Sequence, residues 1–401
     1  MELNFYNPHW EKDFCYNIEL KRNYFSDLIK NLDNKLIINL FWLRRVGKTT
    51  LLKQIIDYLI TEKNMGRKQI FFYSFDSWGE IAEKIEEYKS LLQRDFSKEK
   101  TYIFLDEIQK VPDRQSKVKI YFDKYPNIKF FLTGSSSLCL QKKESLAGRM
   151  FEYCIKPLFF DEYLRFKHLE YYLTEKAVYK DKMIQEFEKY LFRQFIDIIH
   201  APIDEAKRYL SELANKIIKE DIVFYFKIDY PQLLLSIFKI IASSPGLLLD
   251  YKNFANDLDI DQRTLEKYIY FLTEAHLINK VYNFSKNTIK SERKLKKVYL
   301  NACSFFTGNE ITGELFENYV QNTFDFEYFW RLGNKEVDFV DYQNGNIQAV
   351  EVKYKTKLKK EDFAGLQNFS NKFKVDKKLI ITKEKTEKID DIEVKTFYDL
   401  L

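Results

Sequence analysis

Short apolar runs alternate with amphipathic stretches along the first third of the chain. The runs read KLIINLFWL, QIFFYSF, TYIFLDE and IKFFLTGSSS, and stretches with helical spacing lie between them. Strands that are covered by helices on both faces have such near-continuous apolar sequences, whereas half-exposed strands alternate apolar and polar residues. The pattern therefore predicts an α/β fold for residues 1–156, with a parallel sheet and helices on both of its faces.

The pattern becomes helical after about Pro157. The segments FFDEYLRF, EFEKYLFRQFI and QLLLSIFKIIA place apolar residues three and four positions apart, as one face of a helix requires. We interpret residues 157–230 as a helical lid and connector.

A second compact pattern follows the turn signal SSPG at residues 243–246. In the helix predicted after Asp261, one face is apolar and the other is polar, and the short strand LINKVYNF follows. The apolar face consists of Leu265, Ile269 and Leu272, and the outward face consists of Arg263, Glu266, Lys267 and Tyr270. This order of elements is the layout of a winged helix, which we place in residues 231–300.

The last part of the chain mixes helical and strand patterns. A helix at GELFENYV, strands at EVDFVDY and IQAVEVKYK, a helix at KKEDFAGLQNFSNKF and a strand at KKLIIT indicate a small α/β domain. We assign it to residues 301–401.

Composition narrows the class of protein. The chain has 401 residues, of which 45% are apolar and 31% are charged, and this suits several soluble domains. Its apolar runs are too short to cross a bilayer, and the stretch MELNFYNPHWEKDF has no signal-peptide pattern. The four cysteines and the four histidines are scattered, which favours a reducing compartment over disulfides or zinc. We therefore expect a cytoplasmic protein without a membrane partner.

The stretch FWLRRVGKTT carries most of a phosphate-binding loop, whose pattern is G-x-x-x-x-G-K-[ST]. It follows an apolar strand and opens a helix, so that backbone N–H groups and the helix N-terminus point at the phosphates. Lys48 would reach the β- and γ-phosphates, and the hydroxyl of Thr49 would hold Mg²⁺. The residues of this loop that we expect to bind nucleotide are Arg45, Val46, Gly47, Lys48, Thr49 and Thr50.

Position 42 departs from the pattern, because the chain has Trp42 where the motif has glycine. If the loop keeps the conformation that glycine usually supplies, a non-glycine residue there costs on the order of 1 to 3 kcal/mol. Position 42 shapes the exit from the strand and does not contact phosphate. We therefore expect weaker ATP binding and slow turnover, and not the loss of the site.

Two further strand ends supply polar groups to the same site. Asp106 and Glu107 end the run TYIFLDE, where Asp106 can bind the metal and Glu107 can orient and activate water. Thr133 or Ser135, in LTGSSS, would lie beside the γ-phosphate. The order of these signals along the chain is that of an additional-strand P-loop ATPase, and it predicts ATP and Mg²⁺ as cofactors.

Taken with these motifs, nearly the whole chain resembles a family of prokaryotic P-loop ATPases of the AAA+ type that carry a winged helix and a C-terminal restriction-endonuclease-like domain. The resemblance rests on RRVGKTTLLKQI, FLDEIQKV, LTGSSS, LAGRMFEYCIKPLFFDEYL, LEKYIYFLTEAHLI, GELFENYV and KEVDFV with VEVKYK. The chain departs from it at Trp42 and Leu43, where the family usually has Gly-Pro. The resemblance implies that Arg149 senses or completes a nucleotide site, in this subunit or in a neighbouring one of a homo-oligomer. The alternative is a surface arginine at the turn after Gly148.

Asp338, Glu351 and Lys353 form a D-x12-E-x-K pattern across two predicted strands, with Glu351 and Lys353 on one face of theirs. The pattern resembles that of PD-(D/E)xK nucleases, whose carboxylates hold Mg²⁺ while the lysine orients water or stabilises charge on phosphate. The resemblance adds Glu317 as a further acidic metal ligand. The alternative is a charged strand face on a fold without activity.

Basic residues gather in two runs, KNTIKSERKLKK at residues 286–297 and KYKTKLKK at residues 353–360. The net charge is only +5, so these local clusters, and not the total, indicate contact with the phosphate backbone of DNA. The alternative is a pair of solvated surface segments.

These features together predict an ATPase whose nucleotide state controls a DNA-binding winged-helix and nuclease-like module. Two alternatives keep the same folds. One is an ATP-responsive scaffold or DNA-binding regulator whose nuclease-like domain is catalytically silent, and the other is a protein whose last domain binds protein partners.

Overall fold

The computed structural model describes residues 2–76, 79–134, 146, 148–228, 230–287, 289, 291 and 295–400. The chain divides into two compact units, Met1–Leu158 and Phe159–Leu401. The division lies close to the predicted end of the ATPase core at residue 156. The described helices include none that is long and apolar enough to cross a membrane.

The first unit is an α/β domain with a five-stranded sheet. Its strands are β1 (Ile37–Phe41), β2 (Ile70–Ser74), β3 (Thr101–Asp106), β4 (Ile128–Gly134) and β5 (Met150–Cys154). Its described helices are α1 (Glu2–Tyr6), α2 (Tyr24–Lys30), α3 (Lys48–Thr61), α4 (Ile81–Leu91) and α5 (Arg114–Lys124). All pairings are parallel, in the order β2-β3-β4-β1-β5. The predicted parallel sheet is confirmed, and β4 lies between β1 and β3 as the additional strand.

Burial explains why this sheet is visible in the sequence. Every residue of β2, β3 and β4 is buried, as is all of β1 except its last residue. Aromatic side chains fill the layers on the sheet, for example Phe71 against Tyr88 and Phe104 against Phe131, with ring centroids 4.6 and 4.5 Å apart. Because both faces of these strands are covered, most of their side chains are apolar.

The second unit contains helices and one mixed sheet. Its described helices are α6 (Phe160–Phe166), α7 (Tyr171–Thr174), α8 (Lys176–Tyr190), α9 (Ile203–Lys216) with a π-helical continuation (Ile217–Ile222), α10 (Val223–Phe226), α11 (Pro231–Ser243), α12 (Tyr251–Asp257), α13 (Gln262–Glu274), α14 (Gly313–Phe324) and α15 (Ala364–Ser370). Its strands are β6 (Leu247–Leu249), β7 (Ile278–Asn283), β8 (Lys296–Leu300), β9 (Tyr328–Leu332), β10 (Lys335–Gln343), β11 (Asn346–Lys353), β12 (Lys377–Thr382), β13 (Glu387–Ile389) and β14 (Ile392–Thr396). The strand order is β13-β14-β12-β11-β10-β9-β7-β8-β6.

One sheet therefore crosses the predicted boundary between residues 300 and 301. The crossing point is the parallel pair β7 and β9, in which Asn283 lies opposite Phe329. The side chain of Asn283 also bonds the backbone of Arg331, accepting from its N–H at 3.2 Å and donating to its carbonyl at 3.1 Å. The predicted winged helix and the predicted C-terminal domain thus lie within one compact unit.

The helices that we interpret as a lid share a core with the end of the chain. The ring of Phe187, on α8, stacks on that of Phe397 with centroids 3.9 Å apart. Its neighbour Glu188 accepts a hydrogen bond from the Tyr354 hydroxyl at 2.7 Å. These contacts make α8 part of the second unit, and the lid interpretation stays a prediction.

The predicted faces of α13 agree with the structure. Leu265, Ile269 and Leu272 are buried, whereas Arg263, Glu266, Lys267 and Tyr270 are exposed. The side chain of Asp261 caps the helix by accepting from the N–H of Arg263. The order α12, α13, β7, β8, with β7 antiparallel to β8, is the order that a winged helix requires. The winged-helix assignment rests on this order and stays a prediction.

Candidate functional site

The loop between β1 and α3 has the form that phosphate binding requires. Gly47 immediately precedes α3 and has a φ of 89°, a left-handed conformation that suits glycine. Lys48 and Thr49 then form the start of α3, where backbone N–H groups lack partners within the helix. The end of β4 lies beside this loop, because Gly134 pairs with Phe41.

The Lys48 side chain is buried inside the loop. Its ammonium donates to the carbonyl oxygens of Leu43 at 2.7 Å and Trp42 at 3.2 Å. A buried ammonium requires acceptors, and a phosphate oxygen can replace a carbonyl in that role. The lysine therefore lies where a phosphate would meet it.

Trp42 has a φ of 140°, within the region that favours glycine. The loop thus has the backbone conformation that the glycine of the motif would supply. We therefore expect strain from the non-glycine residue at this position. The indole is 8% exposed, so its burial offsets part of the strain. The net cost of having tryptophan at this position is therefore smaller than the backbone strain alone.

Arg22 supports the loop, a role that no sequence pattern indicates. Its guanidinium is buried and donates to the carbonyl of Val46 at 2.6 Å. It also donates to the carbonyls of Lys156 at 2.8 Å and Pro157 at 3.2 Å. The backbone of the loop is thereby tied to the segment that follows β5.

Asp106 is the centre of a small group of oxygen atoms. The hydroxyl of Thr49 donates to its carboxylate, 2.9 Å from Oδ2 and 3.1 Å from Oδ1, and the hydroxyl of Thr133 donates to Oδ1. Burial raises the pKa of Asp106, whereas hydrogen bonds from the two hydroxyls oppose the rise. A hydroxyl and a carboxylate at this separation suit Mg²⁺, which prefers a few oxygen ligands and keeps several waters. The predicted pair of magnesium ligands is thus brought together.

Glu107 lies next to this pair in a left-handed conformation, with a φ of 55°. Its backbone N–H donates to the hydroxyl of Thr133 at 3.0 Å, and its carboxylate accepts from the side-chain amide of Gln109. The first bond fixes the backbone at Glu107 and the second orients its carboxylate, and Gln109 is a contributor that sequence reasoning missed. Ser135, the other predicted sensor, lies outside the described residues.

The structure separates Arg149 from the loop of its own chain. Arg149 precedes β5, and β5 starts beside the first residue of β1, since Met150 pairs with Ile37. Its guanidinium Nε donates to Asp123 Oδ1 at 3.1 Å. Because the loop follows the other end of β1, Arg149 does not reach a nucleotide bound in the same chain. Its predicted role in a neighbouring subunit stays a prediction.

The remaining predicted ligands of the loop differ in burial. Arg45 is exposed and has a φ of 65°, whereas Val46 is buried. Thr50 is partly buried in the first turn of α3. Each lies in the same loop and helix start as Lys48.

In the second unit, Asp338, Glu351 and Lys353 do meet. The ammonium of Lys353 lies 2.6 Å from Glu351 Oε2 and 3.4 Å from Asp338 Oδ2. Asp338 also accepts from the backbone N–H of Val352 at 2.8 Å. The strand pairing of β10 with β11 thus brings the three predicted side chains into contact.

Glu317 lies close by, but its partner is a lysine that sequence reasoning placed elsewhere. The ammonium of Lys297, on β8, lies 2.8 Å from Glu317 Oε1 and 2.5 Å from Glu336 Oε1. The hydroxyl of Tyr299 also donates to Glu317. Lys297 belongs to the basic run 286–297 that we expected on a DNA-binding surface, yet its side chain is 6% exposed. That expectation is wrong for Lys297.

Burial and charge act on the carboxylates of this cluster in different directions. Burial raises the pKa of Glu317 to about 7, although Lys297 opposes it. Burial and then the charge of Asp338 raise the pKa of Glu351 well above its ordinary value. For Asp338, the ammonium groups of Lys353 and Lys297 outweigh burial and lower the pKa.

The predicted metal ligands Glu317, Asp338 and Glu351 do not fit a divalent cation as they are arranged. Within the part of the chain that the structure describes, no group of three acidic, histidine or cysteine side chains could hold a metal ion. Lysine ammonium groups pair with these carboxylates directly. Protein ammonium groups thus already supply positive charge beside these carboxylates, where a metal ion would have to bind.

Three segments of the chain match family models. Residues 34–164 match the model described as an AAA domain, residues 185–307 match a domain of unknown function (DUF8612), and residues 309–399 match a domain of unknown function (DUF4143). The first match agrees with the loop geometry. The first unit is an AAA-type, P-loop ATPase-like domain, a class that supports ATP binding, whereas the other two matches assign no activity.

Two similar proteins are each named an uncharacterized protein. The chain is 27% identical to a protein of Haemophilus influenzae, over 93% of this chain and 96% of that protein. It is 28% identical to a protein of Methanocaldococcus jannaschii, over 74% of this chain and 66% of that protein.

Among solved structures, the chain is similar to a Walker-type ATPase of Pyrococcus abyssi, with a TM-score of 0.43 and 15% identity, over 75% of this chain and 99% of that one. It is also similar to Thermotoga maritima RuvB, with a TM-score of 0.30 and 16% identity, over 61% of this chain and 82% of that one.

Proposed function

We propose that the protein binds ATP with Mg²⁺ at the loop between β1 and α3 and hydrolyses it. The observation that carries the proposal is the placement of Lys48 inside the loop, together with the Thr49 hydroxyl against the carboxylate of Asp106. A parallel sheet can form without either contact. The groups that make them, an ammonium, a hydroxyl and a carboxylate, are those that phosphate and magnesium require.

Each residue of the site has a distinct task in this proposal. Lys48 exchanges its carbonyl acceptors for phosphate oxygens, and Thr49 and Asp106 would hold Mg²⁺, which neutralises charge on the phosphates. Glu107, oriented by Gln109, accepts a proton from the attacking water. Arg22 holds the backbone of the loop at Val46 while the ligand exchanges.

The test compares binding and hydrolysis of ATP in variants of the full chain. We expect Lys48→Ala to lose binding of fluorescently labelled ATP. Glu107→Gln should keep binding but release phosphate about 100-fold or more slowly, because general-base catalysis supplies that much. Lys53→Ala, a lysine of the same helix with its ammonium over the ring of Tyr16, is the matched control and should behave as wild type. Equal ATP binding by wild type and Lys48→Ala would refute the proposal.

We further propose that the nucleotide state controls DNA binding by the second unit. Support comes from the exposed basic side chains Arg263 and Lys267 on α13, the helix that a winged helix presents to DNA. DNA affinity should fall steeply with salt and should differ with and without a non-hydrolysable ATP analogue. Arg263→Ala/Lys267→Ala should weaken it, whereas Lys180→Ala/Lys182→Ala, which removes the same charge from α8, should not. Affinity that is independent of salt and of nucleotide would exclude this role.

The carboxylate cluster favours a regulator or scaffold with a silent nuclease-like module over a nuclease. The observation behind this choice is the pairing of the carboxylates with Lys297 and Lys353. Incubation of plasmid and single-stranded DNA with Mg²⁺ or Mn²⁺ discriminates between the two. Cleavage by wild type that Glu351→Ala abolishes would establish the nuclease.

A further inference from the structure

We infer that Lys297 is a tethered cation that occupies the carboxylate cluster of the second unit in place of a divalent metal ion. The inference rests on the silent nuclease-like module of the proposed function and explains why it is silent. It concerns a residue outside the D-x12-E-x-K pattern. This residue ends the basic run 286–297, and its side chain is buried.

The contacts of Lys297 are those of a bound cation. Its ammonium bridges two carboxylates, 2.8 Å from Glu317 Oε1 and 2.5 Å from Glu336 Oε1, and its side chain is 6% exposed. Glu317 receives a second hydrogen bond, from Tyr299. An ammonium this buried stays charged only when its carboxylate partners are in place. The free-energy cost of desolvating it is larger than the stabilisation from one exposed ion pair.

The carboxylates of the cluster already have cationic partners. Its members are the acidic groups Glu317, Glu336, Asp338 and Glu351 and the basic groups Lys297, Arg331 and Lys353. Four carboxylates thus face three cations, which leaves one formal negative charge. A divalent ion added to this arrangement would leave the buried cluster with an excess positive charge and would compete with the ammonium of Lys297 for the oxygens of Glu317 and Glu336. Metal binding and the present position of Lys297 therefore exclude one another.

The lysine also links two segments of the chain that match different family models. Lys297 lies in the segment that matches one domain of unknown function, and Glu317 and Glu336 lie in the segment that matches the other. The strand β8 that carries Lys297 belongs to the same sheet as β10, which carries Glu336. The predicted winged-helix segment thus contributes Lys297 to a cluster whose carboxylates belong to the following segment.

The experiment measures thermal unfolding of the full chain in nucleotide-free buffer, with and without Mn²⁺ at constant ionic strength. Lys297→Met keeps the length of the side chain and removes its charge. We expect its Tm to fall by on the order of 10 °C, because breaking a buried pair leaves charged groups unpaired. Mn²⁺ should restore part of this loss and should bind in calorimetry. Wild type should show neither response.

Two further variants keep the test decisive. Lys378→Met breaks an ion pair with Asp391, whose side chain is 69% exposed, and should show no response to Mn²⁺. If Lys297→Met fails to fold, the double variant Lys297→Met/Glu317→Gln should recover stability, since it removes the cation and one of its partners together.

Two outcomes would overturn the inference. One is Mn²⁺ binding by wild type that Glu351→Ala abolishes, and the other is a Lys297→Met variant that is as stable as wild type and indifferent to Mn²⁺. ATP binding at Lys48 is measured separately, so failure of the ATPase proposal leaves these outcomes unchanged. DNA cleavage by wild type, in contrast, would refute the silent module and this inference together.

Discussion

The hydroxyl of Thr49 lies 2.9 Å from Asp106 Oδ2, so the first turn of α3 is joined directly to the end of β3. We expect Thr49→Val, which keeps the shape of the side chain and removes the hydroxyl, to weaken Mg²⁺-dependent ATP binding roughly 10-fold or more, the equivalent of about 1.4 kcal/mol. Titration of labelled ATP with and without Mg²⁺ measures the effect. Thr49→Ser keeps the hydroxyl and is the control; equal losses in both variants would contradict the role of the hydroxyl.

Trp42 allows the strain of the loop to be separated from burial of the indole. Trp42→Gly and Trp42→Ala remove the same buried ring, but only glycine relaxes a φ of 140°. We therefore expect Trp42→Gly to have a free energy of unfolding about 1 to 2 kcal/mol larger than that of Trp42→Ala, and to bind ATP more tightly. Denaturant unfolding and ATP titration check this. Identical values for the two variants would show that the loop carries no strain at this position.

His9 should make the first unit sensitive to mild acid. It is fully buried, its Nε2 lies 3.1 Å from the carbonyl of Ile70, and burial lowers its pKa to about 4. Between an unfolded pKa of about 6.5 and the folded value, the unfolded chain binds more protons, so stability falls as the pH decreases through this window. From pH 7 to pH 5 we expect a loss of about 2 kcal/mol from this group. The difference in slope between wild type and His9→Gln measures it, and parallel profiles would exclude His9 as the cause.

Any side chain larger than that of Gly365 should destabilise the second unit. A Cβ atom at this position would lie 1.9 Å from Glu351 Oε1 and 2.3 Å from the backbone carbonyl of Glu336. We expect Gly365→Ala to destabilise the second unit by about 1 to 3 kcal/mol, because the backbone of β10 must shift. Gly313→Ala is the matched control: it also lies in a helix, a Cβ there meets no atom within 4 Å, and it should be neutral or slightly stabilising in thermal unfolding. A stable Gly365→Ala variant would show that α15 can move away from the cluster.

The parts of the fold that sequence alone could reveal are those where burial is uniform or periodic. The strands β1 to β4 are apolar on both faces and match the four apolar runs, and α13 shows its two faces directly. The edge strand β5, MFEYC, is half exposed and has no such pattern, so it was not predicted.

Contacts over long sequence separations left no comparable signal. Arg22 bonds the carbonyl of Val46, 24 positions away, and an arginine bonded to backbone carbonyls imposes no pattern on its partners. Lys297 meets Glu317 20 positions away, and within a basic run a buried lysine looks the same as a solvated one. The spacing of Asp338, Glu351 and Lys353 was readable because β10 and β11 are consecutive antiparallel strands.

The pairing of β7 with β9 limits how this chain can be divided or recombined. Each of these strands is interior only because the other lies beside it. A fragment that ended after β8, or one that began at α14, would present a row of unpaired backbone N–H and C=O groups, which recruits other chains into aggregates. We therefore expect that neither of the two segments with separate family matches is stable as an independent domain.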